Sequence, residues 1–232
     1  MNAKTILSLT VLGAVTAASA AVTTDNTLCR IEVASGTKNT IVAVPLKTIA
    51  GTAETIKLTD LVLTDNLDKD DYILHKVSNG WESWMVSEEG KWTSVVVSDA
   101  GVTTVAGPDT AMSRGDAFWL VRADASKSFY LYGEVIDTPA ADLTIGSGYT
   151  MMGNAALEPL AINSIKFKGT PKKGDKIAIA TTKGIGAKEY TYNGTEWTEA
   201  TLALDENGVL RPTVKKTSAT IPPGQGFWYI SK

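Results

Sequence analysis

The stretch Gly115-Asp-Ala-Phe-Trp-Leu-Val-Arg122 returns near the end of the chain as Gly224-Gln-Gly-Phe-Trp-Tyr-Ile-Ser231. A Phe-Trp pair entered through Gly-x-x is either a binding motif used twice or one structural strand that recurs because a module is copied. The residues around it favour the copy. Thr40-Ile-Val-Ala-Val-Pro-Leu46 corresponds to Thr150-Met-Met-Gly-Asn-Ala-Ala156, and Lys69-Asp-Asp-Tyr-Ile73 to Lys173-Gly-Asp-Lys-Ile177. Trp84-Met-Val86 matches Tyr190-Thr-Tyr192, and Trp92 matches Trp197. With the Phe-Trp pair, the five landmarks keep one order at offsets of 110, 104, 106, 105 and 109 residues. Drifts of that size, confined to loops, are what a diverged tandem duplication leaves.

Apolar residues fall in short runs at 28–33, 41–44, 72–74, 84–86, 92–97, 117–121 and 129–135, each bounded by Gly, Asn, Asp, Ser or Lys. Short strands with turn residues every ten or so positions predict a β-sandwich or barrel. The one helical turn expected is Leu58-Thr-Asp-Leu-Val62. The reading is therefore all-β, as two tandem duplicated small β-sandwich or barrel-like modules at 21–137 and 138–232. Their junction is expected near Asp137-Thr-Pro-Ala-Ala141, where Pro and small residues interrupt the strand pattern.

The first twenty residues combine Lys4, an apolar run over 6–15 and Ala18-Ser-Ala20. These are the parts of a secretory signal peptide, so residues 1–20 are expected to be removed and the mature protein to begin at Ala21. The run is too short for a membrane-spanning helix, and neither a later segment nor the end at Ser231-Lys232 supplies an apolar span. An exported protein is expected, whether periplasmic, cell-surface associated or extracellular. An eight-stranded outer-membrane barrel fits the length, but its strands would run longer and carry one clean apolar face. Of the 22 basic residues only Lys4 lies in the leader, so the mature chain holds 21 basic against 25 acidic residues, a net charge of −4. Such a balance disfavours nucleic acid, whose phosphates call for clustered Lys and Arg.

The motifs Asn39 to Pro45, Gly153-Asn154, Gly174-Asp175-Lys-Ile177, Tyr190 to Trp197 and Pro223-Gly-Gln-Gly-Phe-Trp228 resemble a group of exported bacterial tandem β modules that close on a Gly-x-Gly-Phe-Trp strand. The first copy departs from it, with Asp70 at the middle glycine and Ser113-Arg114 before the closing one. No activity is established for that group, so the resemblance implies export and fold alone.

Hydrolytic or metal chemistry needs a nucleophile with its base, facing carboxylates or a ligand cluster. The sole histidine, His75, matches Ile179 in the second copy, and the sole cysteine, Cys29, reads as a small buried hydrophobe in the strand 28–33. No His-x-x-x-His or Cys-x-x-Cys spacing occurs. The acidic run Asp65-Asn-Leu-Asp-Lys-Asp-Asp71 lacks the Gly and terminal Glu of a calcium loop, and its counterpart, Lys168-Gly-Thr-Pro-Lys-Lys-Gly-Asp175, is mostly basic, so both read as turns. Gly184-Ile-Gly186 opens no helix, as a phosphate cradle would. Arg114-Gly-Asp116 spells an integrin-type tripeptide, but Gly115 has its match in Gly224 and reads as the mouth of a strand. No catalytic residue, no metal ligand and no cofactor is expected.

Aromatic residues are the remaining lead, since exposed rings stack on sugars and anchor interfaces. Trp84, Trp92 and Trp119 have aromatic counterparts; Trp81, in Asn79-Gly-Trp-Glu-Ser83, has none and is expected to be the most exposed tryptophan and a binding residue. Tyr130 and Tyr132, on one face of 128–135, are the second binding candidates. Alternation places Trp119 with Val121, and Trp228 with Ile230, on the core face, because the other face ends in Arg122 or Ser231. After Trp119, residues 128–135 are expected to pair back as a hairpin. Only four residues follow Trp228, so its strand is expected to find a neighbour without a counterpart in the first module, such as 143–145, or to stay an open edge. The function expected is a non-catalytic binding, adhesion or cell-envelope structural role, with glycan, a cell-surface protein or the chain itself as partner; the alternative is a carbohydrate-binding accessory module for glycan degradation.

Overall fold

The computed structural model describes residues 27–33, 39–49, 56–62, 67–68, 70–77, 80–89, 91–98, 101–106, 111–124, 126, 128–136, 141–181 and 186–232. The expected signal peptide and most of the expected junction lie outside them. In chain order the elements are β1 (Leu28–Val33), β2 (Asn39–Ala43), β3 (Ile56–Lys57), helix α1 (Leu58–Leu61), β4 (Tyr72–Val77), β5 (Gly80–Val86), β6 (Trp92–Ser98), β7 (Gly101–Ala106), β8 (Ala111–Met112), β9 (Ala117–Val121) and β10 (Phe129–Glu134). There follow β11 (Leu143–Thr144), β12 (Tyr149–Gly153), β13 (Leu160–Ala161), β14 (Phe167–Lys168), β15 (Lys176–Ala180), β16 (Ala187–Tyr192), β17 (Trp197–Leu204), β18 (Leu210–Lys216), β19 (Thr220–Ile221) and β20 (Gly226–Ile230). The fold is all-β. Among the described residues no helix is long and apolar enough to cross a membrane.

Two six-stranded antiparallel sheets dominate, ordered β2-β9-β4-β5-β6-β7 and β12-β20-β15-β16-β17-β18. The two orders correspond strand for strand. Each sheet buries one face. In the first, Val42, Ile73, Trp84, Phe118 and Leu120 lie under α1 and the β1–β10 ribbon, joined by Ile31, Leu58, Leu61, Phe129 and Leu131. In the second, Met152, Ile177, Tyr190, Trp197, Phe227 and Tyr229 pack beneath Ile162 and Ile221.

The Phe-Trp pair has the opposite sense to the one alternation suggests. Phe118 and Leu120 are fully buried, as are Phe227 and Tyr229, while Trp119 and Trp228 point to the other face and are half-buried. Arg122, read as the polar end of a solvent face, is buried beside the Asp71 carboxylate, its Nε 3.6 Å away. A buried ion pair closes the core side of β9, so a polar residue at the end of the alternation marks the inside.

Asp71 and Asp175 do the same work in the two sheets. Asp71 accepts hydrogen bonds from the backbone N–H of Asp68 (3.1 Å) and Ala123 (2.8 Å); Asp175 accepts them from Lys172 (2.7 Å) and Lys232 (2.9 Å). Each carboxylate closes the turn before a central strand and ties it to the end of the closing strand. Asp175 also takes the Tyr229 hydroxyl proton as a hydrogen bond. Burial alone would raise Asp175, but these bonds, with Lys172 nearby, outweigh it and hold the carboxyl below its ordinary value. The same burial, with the carboxylate beside it, drives the Tyr229 hydroxyl well above the usual range.

Two pairing expectations are overturned. β10 pairs with β1, Leu131 opposite Ile31, and not with β9, because both sides of β9 are taken by β2 and β4. Likewise β20 lies between β12 and β15, the counterparts of β2 and β4, so both closing strands have equivalent neighbours. Leu143 and Thr144 pair in parallel with Phe167 and Lys168 instead. The sheets end on β7 and β18.

Candidate functional site

Registers fix what the outer faces present. Trp119 lies opposite Ile41 on β2 and Leu74 on β4, while Lys76 faces Trp81 across β4 and β5. In the second sheet Trp228 lies between Met151 and Ala178, and Ala180 faces Ala187. These two faces meet. The Trp228 ring receives Trp81 at 6.4 Å, Trp119 at 6.1 Å and Tyr149 at 6.1 Å between centroids, all edge to face. That geometry sets the positive edge of one ring against the negative face of the next.

The backbone joins the faces through a matched pair of hydrogen bonds. Ala43 N–H donates to the Gly224 carbonyl at 2.8 Å and Gly153 N–H to the Gly115 carbonyl at 3.1 Å. Because Ala43 and Gly153 hold equivalent places, as do Gly115 and Gly224, the two bonds exchange under an approximate two-fold axis. The contact is close enough to dictate residue type. A Cβ on Gly153 would sit 2.1 Å from the Ala43 Cβ, and one on Gly226 would sit 2.3 Å from the Ile41 Cγ2. The first sheet has Ala43 and Ala117 at those places; the second has glycine at both, which admits the facing sheet.

Two clefts open beside the seam. One, of about 480 Å³, is lined by His75, Lys76, Asp116, Ala117, Ser147, Tyr149, Thr150 and Met151. Tyr149 is 63% exposed there, and the Lys76 ammonium lies 5.6 Å from the Trp81 ring centre. Burial lowers the pKa of His75 against the opposing fields of Asp116 and Glu82, which favours the neutral imidazole. The other cleft, of about 240 Å³, is lined by Asn39, Thr40, Ile41, Trp119, Ala180, Gly186, Ala187 and Trp228.

Trp81 lies within the aromatic seam and is half-buried, as are Trp92, Trp119 and Trp228, while Trp84 and Trp197 are buried. Tyr130 and Tyr132 are adjacent on β10, 6.3 Å apart, with the Arg30 guanidinium 4.6 Å above Tyr130. Among the described ring contacts none connects them to the seam. Trp119, Trp228 and Tyr149 escaped the sequence reading. Alternation assigns the first two inward, and Tyr149 comes to the seam only through the pairing of its strand with the closing strand, opposite Ile230.

Other motifs resolve into structure. Arg114 of the Arg-Gly-Asp tripeptide spends its Nε on the Ala155 carbonyl at 3.0 Å, and Gly115 spends its carbonyl on Gly153. Cys29 is buried, which raises its thiol pKa. Among the described residues no group of three His, Cys, Asp or Glu side chains is placed to hold a metal ion. Compared with family models, curated proteins and solved structures, the chain finds no match.

Proposed function

We propose that this chain is an exported, non-catalytic binding protein made of two copies of one β module, and that its ligand is a sugar held in the cleft beside Tyr149. The equal strand orders and the exchanging hydrogen bonds support duplication. One observation carries the ligand class: an exposed tyrosine ring, braced by Trp228, shares a cleft with an ammonium, a carboxylate, an imidazole and a serine hydroxyl. Sugars need that combination, an aromatic surface for the C–H face of the ring and polar groups for the hydroxyls. A second reading, a structural envelope component, is favoured by the β17–β18 hairpin. There Leu202, Leu204, Leu210 and Val214 are all exposed, and the register places them on one face. A glycan array separates the readings. The sugar reading expects the protein starting at Ala21 to bind a defined glycan set, with Tyr149→Ala weakening binding at least about tenfold and leaving melting unchanged. A silent array, or binding indifferent to Tyr149→Ala, would defeat it.

A further inference from the structure

Among the places where the two copies differ in the seam, one leaves a space. Ile73 faces Trp84 and Ile177 faces Tyr190, so the registers make Lys76 and Trp81 the counterparts of Ala180 and Ala187. Trp81 crosses the two-fold axis and sets its edge on Trp228. By exchange, residue 187 should send a ring to Trp119, yet it carries a methyl. The 240 Å³ cleft lies at that spot, with Trp119, Trp228, Ala180 and Ala187 in its wall. The first copy closes its side with an indole from within the chain; the second leaves the same position open.

We propose that this cleft is a binding site for a small planar aromatic compound of indole size. Among the described residues its lining contains no charged side chain, and the side-chain hydrogen-bonding groups are those of Asn39 and Thr40 and the indole N–H groups of Trp119 and Trp228. That excludes the polar recognition available on the Tyr149 side, where His75, Lys76 and Asp116 converge. The wall instead offers two indoles whose planes cross at 82°, so an entering ring can stack on one and meet the other edge-on. The volume of about 240 Å³ admits one bicyclic ring. Trp81 on Trp228 is the molecule's own example of the complex. The inference is independent of the sugar reading, since it concerns other residues and another ligand.

Free indole is the probe, titrated into the protein while the tryptophan Nε1–H signals are followed by NMR and assigned by single Trp→Phe variants. The Trp119 and Trp228 signals are expected to shift with half-saturation in the millimolar range, as suits so small a ligand, while those of Trp84 and Trp197 stay in place. Ala187→Trp supplies the missing ring from the chain and is expected to raise the half-saturation concentration at least about tenfold; Ala180→Leu narrows the same wall from the neighbouring strand and serves if the larger change disturbs folding. No shift at Trp119 or Trp228 up to the solubility of indole would overturn the proposal in the wild-type protein alone. Equal half-saturation in wild type and a filled variant, or shifts shared evenly with Trp84 and Trp197, would overturn it as well.

Discussion

The first sheet and the second share strand order, buried phenylalanine and capping aspartate, and differ in what their outer faces give to each other. The first contributes Ala43, Ile41, Trp81 and Trp119; the second answers with Gly153, Gly226, Ala187 and Trp228. Where one sheet adds bulk the other removes it, so that the two outer faces fit against each other. The cores diverge more quietly: Asp71 faces the Arg122 guanidinium, whereas Asp175 faces the Tyr229 hydroxyl.

The largest effects should fall on the buried half of the Phe-Trp motif. Phe118→Ala and Phe227→Ala are each expected to cost about 3 to 5 kcal/mol, as large-to-small core changes do. Trp119→Ala should cost roughly 1 to 2 kcal/mol, being half-buried and held by edge contacts. Denaturant melts decide the order, and a costlier Trp119 would return that ring to a core.

The two aspartates should separate next. Asp71→Asn takes the carboxylate from beside a fully buried guanidinium and is expected to cost about 3 kcal/mol or more; Asp175→Asn, which keeps an acceptor for Tyr229, about 2 kcal/mol. Because the Asp175 carboxyl is depressed in the fold, its contribution is present above the ordinary carboxylate value of about 4 and is lost as the pH falls through the folded value. The gap between wild type and Asp175→Asn should therefore narrow on acidification below pH ~4. A gap that widened there would contradict the hydrogen bonds assigned to this carboxylate.

Much of the strand map was legible because short apolar runs between turn residues have few alternatives. Leu28–Val33 and Ala117–Val121 coincide with β1 and β9 to the residue, and the turn at Leu58 is α1. The facing of β9 was misread for a local reason. Period-two alternation gives two faces but not their sense, and the polar residue used to choose between them, Arg122, is itself buried with Asp71. Strand partners were illegible too, since nothing in 128–135 shows that β2 and β4 already occupy β9. The site was half visible: Trp81 stood out by lacking a counterpart, but its contact with Trp228 spans two sheets, and no local pattern encodes that.

A double-mutant cycle on Trp119 and Trp228 tests most directly whether the sheets meet through their tryptophan faces. Rings 6.1 Å apart in edge-to-face contact should show a coupling of about 0.5 to 1.5 kcal/mol. Strict additivity of Trp119→Ala and Trp228→Ala would mean that the two indoles do not touch, and the seam with both of its clefts would fall with them.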